Sequence, residues 1–167
     1  MTRSNRPYAI CLEPVGVVEE GLPPGEKSTS RFTVVGRIRF YEPYTRALDG
    51  LEEYSHAWIL TWLDRAERRL VARPRGAPSP LGAYATRSPS RPNPIGLTLV
   101  EILEVDPPIL IVRGLDAYPG TPVLDVKPYD YMDVVCEPRV PSWVEAEWRR
   151  RRSVYEKLAP WLGPCHG

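Results

Sequence analysis

Tyr84-Ala85-Thr86-Arg87-Ser88-Pro89-Ser90-Arg91-Pro92-Asn93-Pro94-Ile95-Gly96-Leu97-Thr98 passes from a proline-studded segment into an apolar one, and the two halves obey different rules. Pro89, Pro92 and Pro94 each lock φ and remove an N–H donor. Each residue ahead of a proline is pushed to extended geometry. Residues 84–94 therefore form neither helix nor central strand, and the segment is a stiff, shaped loop. It carries two guanidinium groups, Arg87 and Arg91, with the small polar groups of Ser88, Ser90 and Asn93. Aimed donors on a stiff loop suit an anionic or carboxylate-bearing ligand, although the same composition also describes a rigid connector. Directly after it, Ile95–Val100 reads as a strand rooted in the core.

Further apolar runs with strand character lie on either side: Ile10–Val18, Phe32–Phe40, Ser55–Leu63, Leu81–Ala85, Ile109–Leu115 and Pro122–Lys127. Within Ser55–Leu63, period-two alternation puts His56, Trp58, Leu60 and Trp62 on one face and Ala57, Ile59 and Leu63 on the other. Ile95–Val105 and Ile109–Leu115 pair as a hairpin around Asp106-Pro107-Pro108. Pro43–Gly50 is predicted as a short helix that stops at Gly50. Asp64–Pro80 is a long loop bearing Arg65, Arg68, Arg69, Arg73 and Arg75; it is either a solvated surface or a phosphate-binding one. Ser142-Trp143-Val144-Glu145 fits a capping box, with Ser142 as N-cap, and predicts a helix to about Leu158. Val144, Trp148, Tyr155, Leu158 and then Trp161 or Leu162 form its apolar face. About seven short strands and one late helix predict a mainly β fold: a small antiparallel β-barrel with a short helix and a C-terminal helix. We divide the chain into a barrel domain over 8–140 and a helical extension of it over 141–162.

The length of 167 residues suits one domain with a real core. A net charge of +1 gives no global field pointing to nucleic acid. Arginine greatly outnumbers lysine, which occurs only as Lys27, Lys127 and Lys157. There is no apolar run long enough to span a bilayer and no signal-peptide pattern, so a soluble, cytoplasmic protein is expected, with no membrane partner. Cys11, Cys136 and Cys165 are odd in number and unrelated in spacing, which points to neither a disulfide framework nor a zinc site; no metal is expected. Phosphate-binding, dinucleotide-binding and nucleophile-elbow motifs are absent, and one internal histidine argues against a Ser-His-Asp hydrolase.

Two more pieces carry chemistry. Gly114–Tyr129 offers Asp116, Asp125, Lys127 and Tyr129 around tight turns. Asp125 and Lys127 share a strand face, where they form either a structural or a catalytic pair. Tyr54-Ser55-His56 opens a strand, a place where a histidine is more often a satisfied rim residue than a catalyst.

Gly50–His56, Ala85–Leu97 and Gly120–Tyr129, in this order, closely resemble the TsaA-like (TrmO) family of S-adenosylmethionine-dependent tRNA methyltransferases. The resemblance covers roughly residues 14–145. It implies a small β-barrel, a homodimer, and methylation of N6 of threonylcarbamoyladenosine beside the tRNA anticodon. It also implies that His56, Ala57, Arg87, Leu97 and the turn Pro119-Gly120-Thr121-Pro122 line the S-adenosylmethionine pocket. Arg87 can pair with the methionine carboxylate, and Leu97 can supply an apolar wall. Methyl transfer is mainly a positioning task. The acceptor nitrogen must also lose a proton, for which Asp125 and Tyr129 are the candidates. Two positions depart from the family pattern: Gly25-Glu26-Lys27 stands about where Pro-Arg-Gln is usual, and Pro119 stands where the late turn usually has Asp. The departures leave room for another S-adenosylmethionine-dependent acceptor, or for a cofactor-sensing or RNA-binding module without catalysis.

Overall fold

The computed structural model describes residues 9–23, 25 and 31–159. Six strands close into an antiparallel barrel: β1 (Gly16–Glu20), β2 (Val35–Phe40), β3 (His56–Trp62), β6 (Ile95–Asp106), β7 (Ile109–Arg113) and β8 (Pro122–Pro128), in the order β1-β2-β7-β6-β3-β8. A separate ribbon pairs β4 (Val71–Ala72) with β5 (Leu81–Gly82). One helix, α1 (Ser142–Leu158), follows the barrel.

Alternation builds the core. On β3, Ala57, Ile59 and Thr61 point inward and are buried, while His56, Trp58, Leu60 and Trp62 remain half-buried on the outside. Val18, Ile38, Val100, Leu110, Val112 and Val123 meet Ala57 and Ile59 within the barrel, and Leu48 and Leu51 add to this core from the short turns before β3. Three register shifts, at Val18/Glu20, Leu60/Thr61 and Ile102/Glu104, accompany the curvature of a closed sheet. Gly36 gives room for the buried Leu115: a Cβ there would lie 2.7 Å from Leu115 Cδ2.

Several expected boundaries move. Ile10–Val18 becomes strand only from Gly16. Phe32–Phe40 begins as a 3-10 turn over Arg31–Thr33, which buries Phe32, before β2 starts. The helix expected over Pro43–Gly50 is a 3-10 helix over Tyr44–Leu48; Gly50, at φ 88°, introduces a second over Leu51–Glu53. Leu81–Ala85 is strand only over Leu81–Gly82, then a 3-10 turn over Ala83–Ala85. Ser142 does not cap α1. Pro141 is the N-cap, with its carbonyl accepting from Val144 N at 2.9 Å and Glu145 N at 3.1 Å. Because that carbonyl serves the first free amides, Ser142 already lies inside the helix, and Glu145 instead accepts from Arg149 Nε at 3.0 Å.

The apolar face of α1 is only half-buried. Tyr155 packs on Phe32 at 5.4 Å between ring centroids and stacks on Trp148 at 5.2 Å. Cys136 is disulfide-bonded, and Cys11 is free and exposed. An odd cysteine count argues against a framework and leaves room for a single bridge, which Cys136 makes. Glu26, Lys27, Trp161, Leu162, Cys165 and His166 lie outside the described residues, as do residues 1–8.

Candidate functional site

The proline segment is held by its own side chains. Thr86 Oγ1 donates to Ala83 O at 3.0 Å and accepts from Ser88 N at 3.2 Å; Ser88 Oγ accepts from Ser90 N at 3.2 Å. Arg91 turns back into the loop, donating through Nη1 to Thr86 O and Ser88 O at 3.5 and 3.4 Å and through Nη2 to Ala83 O at 3.4 Å. Prolines remove the N–H groups that would normally serve such carbonyls, and Arg91 supplies donors in their place. Arg87 does the opposite. It is exposed, and its Nη2 donates to Leu97 O on β6 at 3.1 Å. The two arginines look equivalent in the sequence; one ties the loop together and the other is presented.

The outer face of β3, β6 and β8 orders the remaining candidates. Leu60 stands opposite Leu97 on one side and Asp125 on the other, so these three form one row. In the next row Trp58 faces Leu99 and Lys127, and beyond that His56 faces Glu101. Tyr129 N donates to His56 O at 3.0 Å, and the Tyr129 ring lies 6.4 Å from His56 and 6.0 Å from Trp58. Leu97, with Arg87, and His56, with Tyr129, thus sit at two levels. These levels lie four steps apart along β3, from Leu60 to His56, about 13 Å at ordinary strand rise. Asp125 accepts from Val126 N at 2.9 Å and pairs with Lys127 Nζ at 2.8 Å. It also borders a hollow with Tyr44, Leu48, Gly50 and Tyr54. His56 Nδ1 lies 2.9 Å from Ser55 Oγ, and burial holds the imidazole pKa below 6.5, partly opposed by Glu101. The Ala57 side chain is inside the core, so only its backbone can meet a ligand.

The late turn leans on β1. Gly120 N donates to Val18 O at 2.8 Å, Val18 N to Thr121 O at 3.0 Å, and Thr121 N to Tyr118 O at 3.1 Å. Thr121 is buried, and Pro122 pairs with Val17. Gly120 takes φ 86°, and a Cβ there would lie 3.4 Å from Arg65 Nη2. The turn therefore has a guanidinium over it that the sequence could not assign: Arg65 was one of five arginines in a loop, and only the fold brings it to Gly120. Arg31 also enters this part of the molecule. It lies 3.9 Å from Asp116 and 4.6 Å from the Phe32 ring; burial, and then the neighbouring charge of Arg87, lower its pKa. An exposed Arg87, an Arg65 set over a turn that lacks a Cβ, and exposed Leu97 and Ile95 make a donor set suited to a ligand with a carboxylate and an apolar part. Among the described residues, no group of His, Cys, Asp and Glu could hold a metal ion, and no helix is long and apolar enough to cross a membrane.

A closed antiparallel barrel with a presented arginine on a proline loop defines a class distinct from the doubly wound nucleotide-binding folds. Residues 19–134 match the tRNA-methyltransferase O N-terminal domain family, and the chain belongs to it. It is 45% identical over 133 residues to a probable S-adenosyl-L-methionine-binding protein of Methanothermobacter thermautotrophicus, covering 75% of this chain and 93% of that one. It is 44% identical over 105 residues to the tRNA (adenine(37)-N6)-methyltransferase of Escherichia coli, covering 56% of this chain and 45% of that enzyme. The crystal structure of TrmO from P. aeruginosa superimposes with a TM-score of 0.68 at 25% identity, over 91% of this chain and 76% of the other.

Proposed function

We propose that this protein transfers a methyl group from S-adenosylmethionine to N6 of threonylcarbamoyladenosine at position 37 of tRNA. Arg87 carries the reading: a guanidinium fixed against Leu97 O on a loop with no slack, in a chain of this family. Arg87 pairs with the carboxylate of the cofactor, Leu97 forms an apolar wall, and the backbone of His56, Ala57 and Pro119–Pro122 meets the rest of it. When bound, the cofactor supplies an activated methyl group on sulfonium sulfur. The chain's own task is to align the acceptor nitrogen with that group and exclude water. Asp125 and Tyr129 are the candidates to take the acceptor proton. Asp125 already shares its charge with Lys127, so Tyr129, beside His56 and Trp58, is the better placed for contact with a flat base.

The functional unit is a homodimer acting in the cytoplasm. Support comes from the outer face of β3 and β6 beside the cofactor site, where Ile95 is exposed next to the half-buried Leu60 and Trp62, an apolar surface that a second copy would cover. Pro119, at a point where the family pattern has a carboxylate, favours a second reading in which the same cofactor serves another acceptor.

The test is incubation with methyl-labelled cofactor and tRNA from cells lacking this modification, followed by digestion to nucleosides. Label in N6-methyl-threonylcarbamoyladenosine is expected. Label in a different nucleoside would establish the second reading. Cofactor binding without any transfer would overturn both. Arg87→Ala is expected to weaken cofactor binding about ten-fold or more, the scale of a lost charge-assisted hydrogen bond; unchanged affinity removes the pocket assignment.

A further inference from the structure

Tyr84 is 80% exposed, yet the backbone beneath it is anchored by hydrogen bonds. Its neighbour Ala83 is buried, donates its N–H to Leu70 O at 2.9 Å, and offers its carbonyl to Thr86 N, Thr86 Oγ1 and Arg91 Nη2. An aromatic ring that projects from a rigid turn loses little freedom when something stacks on it. Tyr84 is also a ridge between two clefts. On one side lie Arg68, Arg69 and Asn93; on the other, Arg73, Arg87 and Trp143. No carboxylate lines either cleft among the described residues. Arg69 is engaged by Glu67 and Arg68 lies 5.8 Å from the Trp62 ring, whereas Arg73 makes no ion pair among the described residues.

We infer that Tyr84 is a stacking platform for a base in a single-stranded stretch of RNA, with Arg68 and Arg73 taking the flanking phosphates. An exposed planar ring between cationic clefts is the arrangement that binds single strands, since every base offers a π face and every linker a negative charge. An acidic peptide would use the arginines but has no need of the ring. Tyr84 and Arg87 border the same cleft, so a base on this platform sits next to the residue assigned to the cofactor. The inference rests on the proposed tRNA reaction and names where the anticodon loop is gripped.

The test uses the full chain and a fluorescently labelled anticodon stem-loop, with affinity measured by anisotropy across a salt series. Tyr84→Ala is expected to weaken binding about ten-fold, within the range for loss of one stacked base, while Tyr84→Phe binds as the parent does. Arg73→Gln is expected to reduce the magnitude of the log–log salt slope by about 0.7, the single-strand value for one phosphate. In turnover, Tyr84→Ala raises KM for RNA and leaves kcat and cofactor affinity unchanged. Parental RNA affinity in Tyr84→Ala, or equally tight binding of polyglutamate, overturns the platform. If RNA binding depends on Tyr84 but no methyl is transferred, the platform stands and the proposed reaction falls. If transfer proceeds with an undiminished kcat/KM in Tyr84→Ala, the reaction stands and the platform falls.

Discussion

The wall of the barrel and the proline segment beside it are both rigid, but they reach rigidity by opposite means. In the wall, Ile38, Ile59, Leu110, Val100 and Val112 are wholly excluded from solvent, and each strand is bonded to two neighbours. Dispersion and apolar burial dominate it, with Thr61 and Thr98 the buried polar side chains of its strands among the described residues. In the segment 86–94 almost nothing apolar is buried except Pro94. There the backbone is stiffened before folding by three prolines, and Thr86, Ser88 and Arg91 then bind the carbonyls and amides that remain. A wall of the first kind tolerates change on its outer face. A loop of the second kind can present a side chain such as Arg87 at a defined point without covering it, which a binding loop requires.

The largest expected effect tests the wall. Leu110→Ala removes a fully buried side chain from the core and should cost about 2–5 kcal/mol in denaturant unfolding. Gly36→Ala comes next, at about 1–3 kcal/mol, because its Cβ would meet Leu115, which is itself buried and has nowhere to go. A loss below 0.5 kcal/mol at both sites would mean that the barrel is not the rigid partner in the comparison.

The segment is tested by treating its two arginines separately. Arg91→Ala should cost about 1 kcal/mol of stability, the usual worth of a hydrogen bond made in partial contact with water, and should weaken cofactor binding as the loop loosens. Arg87→Ala should weaken cofactor binding with stability unchanged to within about 0.5 kcal/mol. The reverse pattern would show that Arg87 is the clamp and Arg91 the ligand.

That split also marks what was legible in advance. Alternation on Ser55–Leu63 separates His56, Trp58, Leu60 and Trp62 from the buried Ala57 and Ile59, because period two is a local property; the third inward residue is Thr61, and Leu63, expected on that face, lies beyond the end of β3. The prolines announced a stiff loop for the same reason. Which arginine turns inward could not be read, since it depends on where three carbonyls point once the loop has closed. The position of Arg65 over Gly120 depends on packing between segments more than fifty residues apart. The strand expected over Phe32–Phe40 began late because Phe32 found a better site under Tyr155 than in a ladder, a tertiary preference that overrides propensity. Ser142 has capping chemistry, but Pro141 already supplied the carbonyl that starts the helix.

The smallest effect lies on the outside of the wall, where charge rather than packing is at stake, and it separates two pH windows. Glu19 accepts from Arg39 and from Arg37 Nε, the latter at 2.8 Å, and these bonds hold its pKa below 4.5. The folded form therefore gains from Glu19 above that pH and loses the gain as pH falls below it. His56 is shifted the same way for a different reason: burial disfavours its charged form, so its folded pKa lies below 6.5. The unfolded chain then binds more protons just below 6.5, and stability declines as pH falls through that value toward the folded pKa. Stability measured by denaturant midpoint against pH should show a first decline near 6.5 that His56→Gln abolishes, and a second below 4.5 that Glu19→Gln abolishes. A first decline that survives His56→Gln would place the titrating group elsewhere. A profile that rises as pH falls through 6.5 would mean that Glu101 outweighs burial and that the imidazole is charged in the folded barrel.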